Sequence, residues 1–310
     1  VRIAVIDCGT NTFNILIVDV ENGSCKQVFN TRSAVKLGES AINQGFIAEI
    51  PFLRGIDALI EFKAIIDEFI VDKVLAFATS AIRDAVNGKD FVKMVKERAG
   101  LDLKVIDGNE EAMLIYAGCR EAVPLLNGIS LIMDIGGGST EFILADRERI
   151  YWKKSFNLGA SRLLQRFNPS DPILNKEVKD LFAYLDEESA DLKKAIAEFP
   201  PVELIGTSGA FDSIIEMIHG EFGGEEFTDS KTCYEVDNDL LNKISEKVKH
   251  STLSERREIK GLVPMRFDMI VISCLLIEYV LKLAGLRKLR VSTYSLKEGA
   301  LAVYLKEINS

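Results

Sequence analysis

Apolar positions along this chain change their period repeatedly, and each change marks an element. Residues 1–6 form a short β-branched run that ends at Asp7. Cys8-Gly9-Thr10-Asn11-Thr12 supplies turn chemistry, and residues 13–20 return as a second apolar run, which predicts a strand, a tight turn and a strand. Residues 26–36 read as a third strand. Over 48–70, Leu53, Ile56, Leu59, Ile60, Ile66 and Phe69 fall at helical spacing. A strand over 73–78 then meets Thr79-Ser80. An amphipathic helix follows from Asp90 to about Ala99, then a strand over 103–106 and a helix from about Glu110 to Gly118.

The same order then begins again. An apolar strand over 129–133 ends at Asp134, the turn is Ile135-Gly136-Gly137-Gly138-Ser139-Thr140-Glu141, and residues 142–145 form the returning strand. A third strand over 149–156, one helical stretch over 176–198 and a strand over 202–205 lead to Gly206-Thr207-Ser208-Gly209. Spacing tests the repeat: Asp7 and Thr79 are 72 residues apart, Asp134 and Thr207 are 73. Leu37-Gly38 has its counterpart in Leu158-Gly159. A period this long predicts two similar α/β domains with a ligand cleft between them. The boundary falls near 121–128, where Pro124, Asn127 and Gly128 interrupt the pattern, giving domains of 1–122 and 123–298.

Charge narrows the ligand. The formal net charge is −9, which argues against a surface that coats nucleic acid, so an anion site must be local. It also predicts that anionic substrate binds much more weakly without a divalent cation. Cys8, Cys25, Cys119, Cys233 and Cys274 show no paired spacing and read as small buried hydrophobes in a reducing, cytoplasmic compartment. With only His219 and His250, zinc or a serine-histidine-aspartate triad gives way to carboxylate chemistry. Residues 1–6 are too short for a signal-peptide core, and the apolar stretch 269–286 contains Glu278 and Lys282, which predicts a buried helix and no membrane span. The run 247–260 is mixed in charge and reads as solvated.

Each hairpin sets an aspartate at a strand end beside small residues. Glycine lets backbone amides approach a phosphate, and hydroxyls at Thr10, Thr12, Ser139 and Thr140, with Asn11, add donors. Gly9 and the three consecutive glycines Gly136, Gly137 and Gly138 are the candidate cradles, the second exceeding what a hairpin needs. Asp134 and Glu141, with Asp7 as a third, suit Mg²⁺, which takes one or two carboxylates and completes its shell with water and phosphate oxygens. Thr79-Ser80 and Thr207-Ser208-Gly209 precede helices whose first amides bind phosphate. Arg83 and Arg266 are candidate bidentate phosphate ligands. Gly108-Asn109-Glu110-Glu111-Ala112 opens a helix with two acids, either of which could deprotonate water. No Walker A or dinucleotide fingerprint occurs.

These segments, with Leu296-Lys297-Glu298-Gly299, resemble in order the exopolyphosphatase and guanosine pentaphosphate phosphohydrolase family, within the actin, hexokinase and heat-shock-protein ATPase superfamily. The resemblance implies two duplicated ribonuclease-H-like domains, with the helix at 299–310 returning to the first. It implies release of orthophosphate from polyphosphate or guanosine pentaphosphate, Glu111 as general base, Asp134 and Glu141 as metal-associated acids, Arg83 and Arg266 on phosphate, and a homodimer. Departures are threonine where the family often has serine at Thr10 and Thr12, and lysine in place of arginine at Lys36 and Lys297, which loses a bidentate donor. Longer members add helical domains beyond the equivalent of residue 310. The rivals are a small-molecule kinase of the same superfamily and a non-catalytic sensor of polyphosphate or an alarmone.

Overall fold

A computed structural model describes every residue except 22, 23, 126, 127, 224, 229, 309 and 310; Asn127 of the expected boundary lies outside the described residues. The chain divides into two compact units, Val1–Gly118 with Leu296–Ser310, and Cys119–Ser295.

The first unit is built on β1 (Arg2–Cys8), β2 (Phe13–Glu21), β3 (Ser24–Ser33), β4 (Lys73–Ala78) and β5 (Lys104–Val105), in the order β3-β2-β1-β4-β5. β1 and β2 are antiparallel, with Cys8 opposite Phe13 across the turn, while β1, β4 and β5 run parallel. Alternation along β1 sends Ala4, Ile6 and Cys8 into one core and leaves Asp7 on the opposite face. Its helices are α1 (Glu49–Glu68), the single turn α2 (Ser80–Arg83), α3 (Gly88–Ala99) and α4 (Gly108–Ala122), whose last turn lies in the second unit. Phe91 of α3 packs edge-on against Phe13 and Phe52 at centroid distances of 6.4 and 5.1 Å. These contacts fasten α1 and α3 to the sheet.

The second unit repeats the plan. β6 (Ser130–Ile135), β7 (Thr140–Ala145), β8 (Ile150–Phe156), β9 (Glu203–Thr207), β10 (Cys233–Val236) and β11 (Leu289–Ser292) lie in the order β10-β11-β9-β6-β7-β8. Without the added edge strand β10, that order and its strand directions match the first sheet. The helices are α5 (Ala160–Phe167), α6 (Asn175–Glu188), α7 (Ala190–Glu198), α8 (Gly209–Phe222), α9 (Asn238–Lys249), α10 (Leu253–Arg256) and α11 (Ile270–Ala284). α12 (Leu296–Ile308) belongs to the first unit. Among the described residues no helix is long and apolar enough to cross a membrane.

Several expectations change. The helical stretch at 176–198 is two helices, broken at Ser189, whose Oγ lies 2.7 Å from the Tyr279 hydroxyl. The run 247–260 is not simply solvated: Ser251, Arg256 and Ile259 are buried. Cys8, Cys119 and Cys274 are buried as expected, but Cys25 is exposed and Cys233 half-buried. The duplication is also less regular than the 72- and 73-residue spacing implied. Thr79 is the residue before α2 and Ser208 the residue before α8, so Ser208 is the counterpart of Thr79. Thr207 remains in β9, opposite Asp134.

Gly299 has a packing reason. A Cβ there would lie 1.7 Å from the Leu114 carbonyl oxygen and 2.8 Å from the Gly118 nitrogen, so α12 crosses α4 at backbone contact. Gly299→Ala is expected to destabilise the fold by roughly 1–3 kcal/mol, the cost of overpacking. Chemical denaturation measures it, and an unchanged midpoint would show that the helices can separate freely.

Candidate active site

In the second unit, the cradle begins with a turn closed by the Gly136 amide donating to the Ser139 carbonyl at 3.0 Å. The first amides of α5 then hold the loop from behind. Ala160 N–H donates to Gly136 O, and Ser161 and Arg162 N–H both donate to Gly137 O, at 2.9 to 3.1 Å. Arg162 Nε donates to Gly138 O at 2.8 Å. With all three glycine carbonyls engaged, the N–H groups become the polar groups available to a ligand. Among the described residues neither the Gly137 nor the Gly138 amide donates to a backbone carbonyl. Successive amides of this kind form an anion-binding concavity.

The first unit carries the same turn. The Gly9 amide donates to the Thr12 carbonyl at 3.1 Å, and the amides of Lys36 and Gly38 donate to the carbonyls of Asn11 and Thr10. A Cβ at Gly9 or at Gly136 would meet the matching carbonyl oxygen, of Thr12 or Ser139, at 3.0 Å in both copies. Thr10 Oγ1 lies 3.1 Å from Ser80 Oγ, so the loop is tied to the start of α2.

Acids and a cation lie beside the second loop, and the first unit holds an acid–arginine pair. In the second unit Asp134 Oδ2 accepts from Ser208 Oγ and Ser295 Oγ, each at 2.7 Å. Glu141 sits opposite Asp134 across the β6–β7 ladder and accepts from Ser155 Oγ at 2.6 Å. The Arg266 guanidinium lies over Gly209, where a Cβ would be 1.9 Å from Nη2, and its charge acts on Asp134. In the first unit Arg83 Nη1 donates to Glu111 Oε2 at 2.8 Å, with Glu111 only 6% exposed. Asp107 caps α4 by accepting from the amides of Asn109 and Glu110 at 2.8 Å. Glu110 instead pairs with Lys104 at the surface. Asp7 Oδ2 accepts from Asn14 Nδ2 at 3.4 Å.

A chain with this double cradle has identifiable relatives. The profile of the Ppx/GppA phosphatase family matches residues 16–307. The chain belongs to that family. It is similar to a crystal structure of an exopolyphosphatase from Cytophaga hutchinsonii, with 41% identity, a TM-score of 0.96 and coverage of 99% of this chain and 98% of that one. The Ppx/GppA family member of Aquifex aeolicus gives 26% identity and a TM-score of 0.81 over 100% of this chain and 99% of that one. Exopolyphosphatase 1 of Mycobacterium tuberculosis is 28% identical over 309 residues, 96% of this chain and 86% of the relative.

Membership of the Ppx/GppA family implies phosphoryl transfer that depends on a divalent metal, and the donor set fits such an ion. Asp134 and Glu141 are paired oxygen donors on one sheet face. Among the described residues no group of three or more histidine, cysteine, aspartate and glutamate side chains gathers in a metal-binding cluster. One or two carboxylates with water and phosphate oxygens is the way magnesium is commonly held. Cysteine chemistry does not compete: burial, then the Asp7 charge, pushes the Cys8 thiol well above its ordinary range, and burial takes Cys274 up to about 12.

Thr140 differs from the other candidate donors. It is fully buried and its hydroxyl donates to the Leu158 carbonyl at 2.9 Å, so it braces the loop. Ser295, Ser155 and Asp107 join these contacts without a local motif that marks them. The signal for Ser295 is topological: it follows β11, which is parallel to β9 and β6, so it meets Asp134 and Ser208 at the same sheet edge. Ser208 adopts φ 70° and ψ 170°, a region nearly reserved for glycine that costs about 1–3 kcal/mol. In that conformation its hydroxyl donates to Asp134 at 2.7 Å.

Burial raises Asp134 above the ordinary aspartate range, opposed by the Ser208 and Ser295 hydroxyls and then by Arg266. Removing either hydroxyl leaves burial less opposed, so the carboxyl stays protonated to higher pH. In Ser208→Ala and Ser295→Ala the acid limb of the pH–rate profile for phosphate release is expected to move upward. A limb that stays in place in both variants would show that ionised Asp134 is not required.

Proposed function

We propose that the chain is an exopolyphosphatase that removes the terminal phosphate of inorganic polyphosphate by direct attack of water, with Mg²⁺ as its cation. The observation that carries this reading is the pairing of buried Glu111, at the start of α4, with half-buried Arg83. Two further features agree with it: the free amides of the glycine loop, and the several relatives named exopolyphosphatase.

Glu111 accepts a proton from the attacking water. The water oxygen bonds to the terminal phosphorus, the bond from that phosphorus to the bridging oxygen breaks, and the electron pair leaves with the shortened chain. Orthophosphate is the other product. Loop amides and the α8 N-terminus bind anionic oxygens, and each unit adds one arginine as a charge-assisted donor, Arg83 in the first and Arg266 in the second. Asp134 and Glu141 would hold the cation, which would supply charge neutralisation at the phosphate oxygens. Guanosine pentaphosphate presents the same terminal anhydride and is the second candidate substrate. The net charge of −9 agrees with a small anionic substrate held locally rather than a nucleic acid. Five free thiols agree with a reducing cytoplasm.

Incubation with polyphosphate and Mg²⁺, without nucleotide or acceptor, is expected to release orthophosphate, which a kinase or a sensor would not do. Glu111→Gln should lower kcat by about 10²–10⁴-fold while polyphosphate binding persists. Turnover at the wild-type rate in that variant would remove Glu111 as the base.

A further inference from the structure

We infer that Arg256, anchored by Asp171, is a positioning residue that sets the placement of Arg266; the inference rests on the reading of Arg266 as a phosphate ligand. Arg266 ends a single 3₁₀ turn, Pro264–Arg266, just before Phe267 and α11. Its backbone is tied on both sides: the Arg266 amide donates to the Val263 carbonyl at 2.9 Å, and the Arg266 carbonyl accepts from the Met269 amide at 3.0 Å. The carbonyl of Phe267, one residue beyond Arg266, accepts from Arg256 Nε at 2.8 Å.

Arg256 is the last residue of α10 and is 5% exposed. Its guanidinium spends every nitrogen inward. Besides Phe267, Nη1 donates to the Ser251 carbonyl at 2.6 Å and Nη2 to Asp171 Oδ1 at 2.7 Å. The other oxygen of Asp171 accepts from the Leu253 amide at 2.6 Å, which fixes that carboxylate to the first turn of α10. Burial would raise Asp171, but the Leu253 amide and Arg256 lower it further, so the acid is held below its ordinary range as a committed anion. A capping box between Thr252 and Glu255 fixes the start of the same short helix.

The result is a buried, hydrogen-bonded frame joined directly to the turn that carries Arg266. Arg266 lies so close over Gly209 that no side-chain carbon fits beneath it. Bidentate phosphate binding needs both N–H groups aimed at once, and a misplacement of about 1 Å can cost about 10²-fold. Three directed bonds from one planar fork also explain arginine at 256, since lysine would supply one point charge.

The test is a double-mutant cycle on phosphate release from polyphosphate with Mg²⁺, using Arg256→Met, Arg266→Ala and the pair, each melted thermally as well. Arg256→Met is expected to lower kcat/KM about 10- to 100-fold, and the pair should be no slower than Arg266→Ala alone within about twofold, because the first residue acts through the second. Losses that multiply in the pair, or Arg256→Met at wild-type kcat/KM, would overturn the inference while leaving Arg266 as a ligand. Wild-type kinetics in Arg266→Ala would instead remove Arg266 as a ligand, and the inference with it. If Arg256→Met does not fold, Asp171→Asn takes its place in the same cycle, with the same criteria applied.

Discussion

In the second unit, the glycine loop and the segment behind it touch at backbone distance, and the local chemistry depends on that contact. A Cβ at Gly159 would lie 2.4 Å from the carbonyl carbon and oxygen of Gly137. Without it, the first turn of α5 comes close enough for its amides to engage the loop carbonyls. Engaging the carbonyls is what turns the loop from a mixed dipole into an array of N–H donors. The same device recurs in the first unit, where Gly38 packs onto Thr10 and donates to its carbonyl. This loop frame thus rests on two glycine positions in each unit, Gly136 with Gly159 and Gly9 with Gly38.

Duplication preserved that frame and altered what it carries. Asp7 faces Asn14 across the first hairpin, and Asp134 faces Glu141 across the second. The next strand places Arg32 beyond Asn14 and Ser155 beyond Glu141. One sheet therefore lines up an acid, an amide and a cation, the other two acids and a hydroxyl. The Arg83–Glu111 pair lies in the first unit, while the facing acids Asp134 and Glu141 lie in the second. Divergence at a fixed backbone register is enough to give the two halves different sets of side chains.

Much of this was legible in the sequence because it is local. Strand ends at Asp7 and Asp134, the glycine loops and the Leu-Gly counterparts all sit within short segments of fixed period. Glu111 was distinguished from Glu110 only through family resemblance; the structure shows one buried against Arg83 and the other at the surface with Lys104. What was not legible depends on contacts distant in sequence. Ser295 reaches Asp134 across 161 positions, and Arg256 reaches Asp171 across 85; no spacing rule connects such pairs. The solvated reading of the run 247–260 failed for the same reason, since its charge balance gives no sign that one arginine is turned inward. Likewise the single-residue shift between Thr207 and Ser208 is visible only once the helix starts are known.

Attack of water on the terminal phosphorus of a polyphosphate chain is the step to which the buried Glu111 and the loop amides point. Hydrolysis in ¹⁸O-labelled water, followed by mass spectrometry of both products under single-turnover conditions, tests it directly. One labelled oxygen is expected in the released orthophosphate and none in the shortened chain. Label in the shortened chain, or release of an unlabelled phosphate, would contradict it.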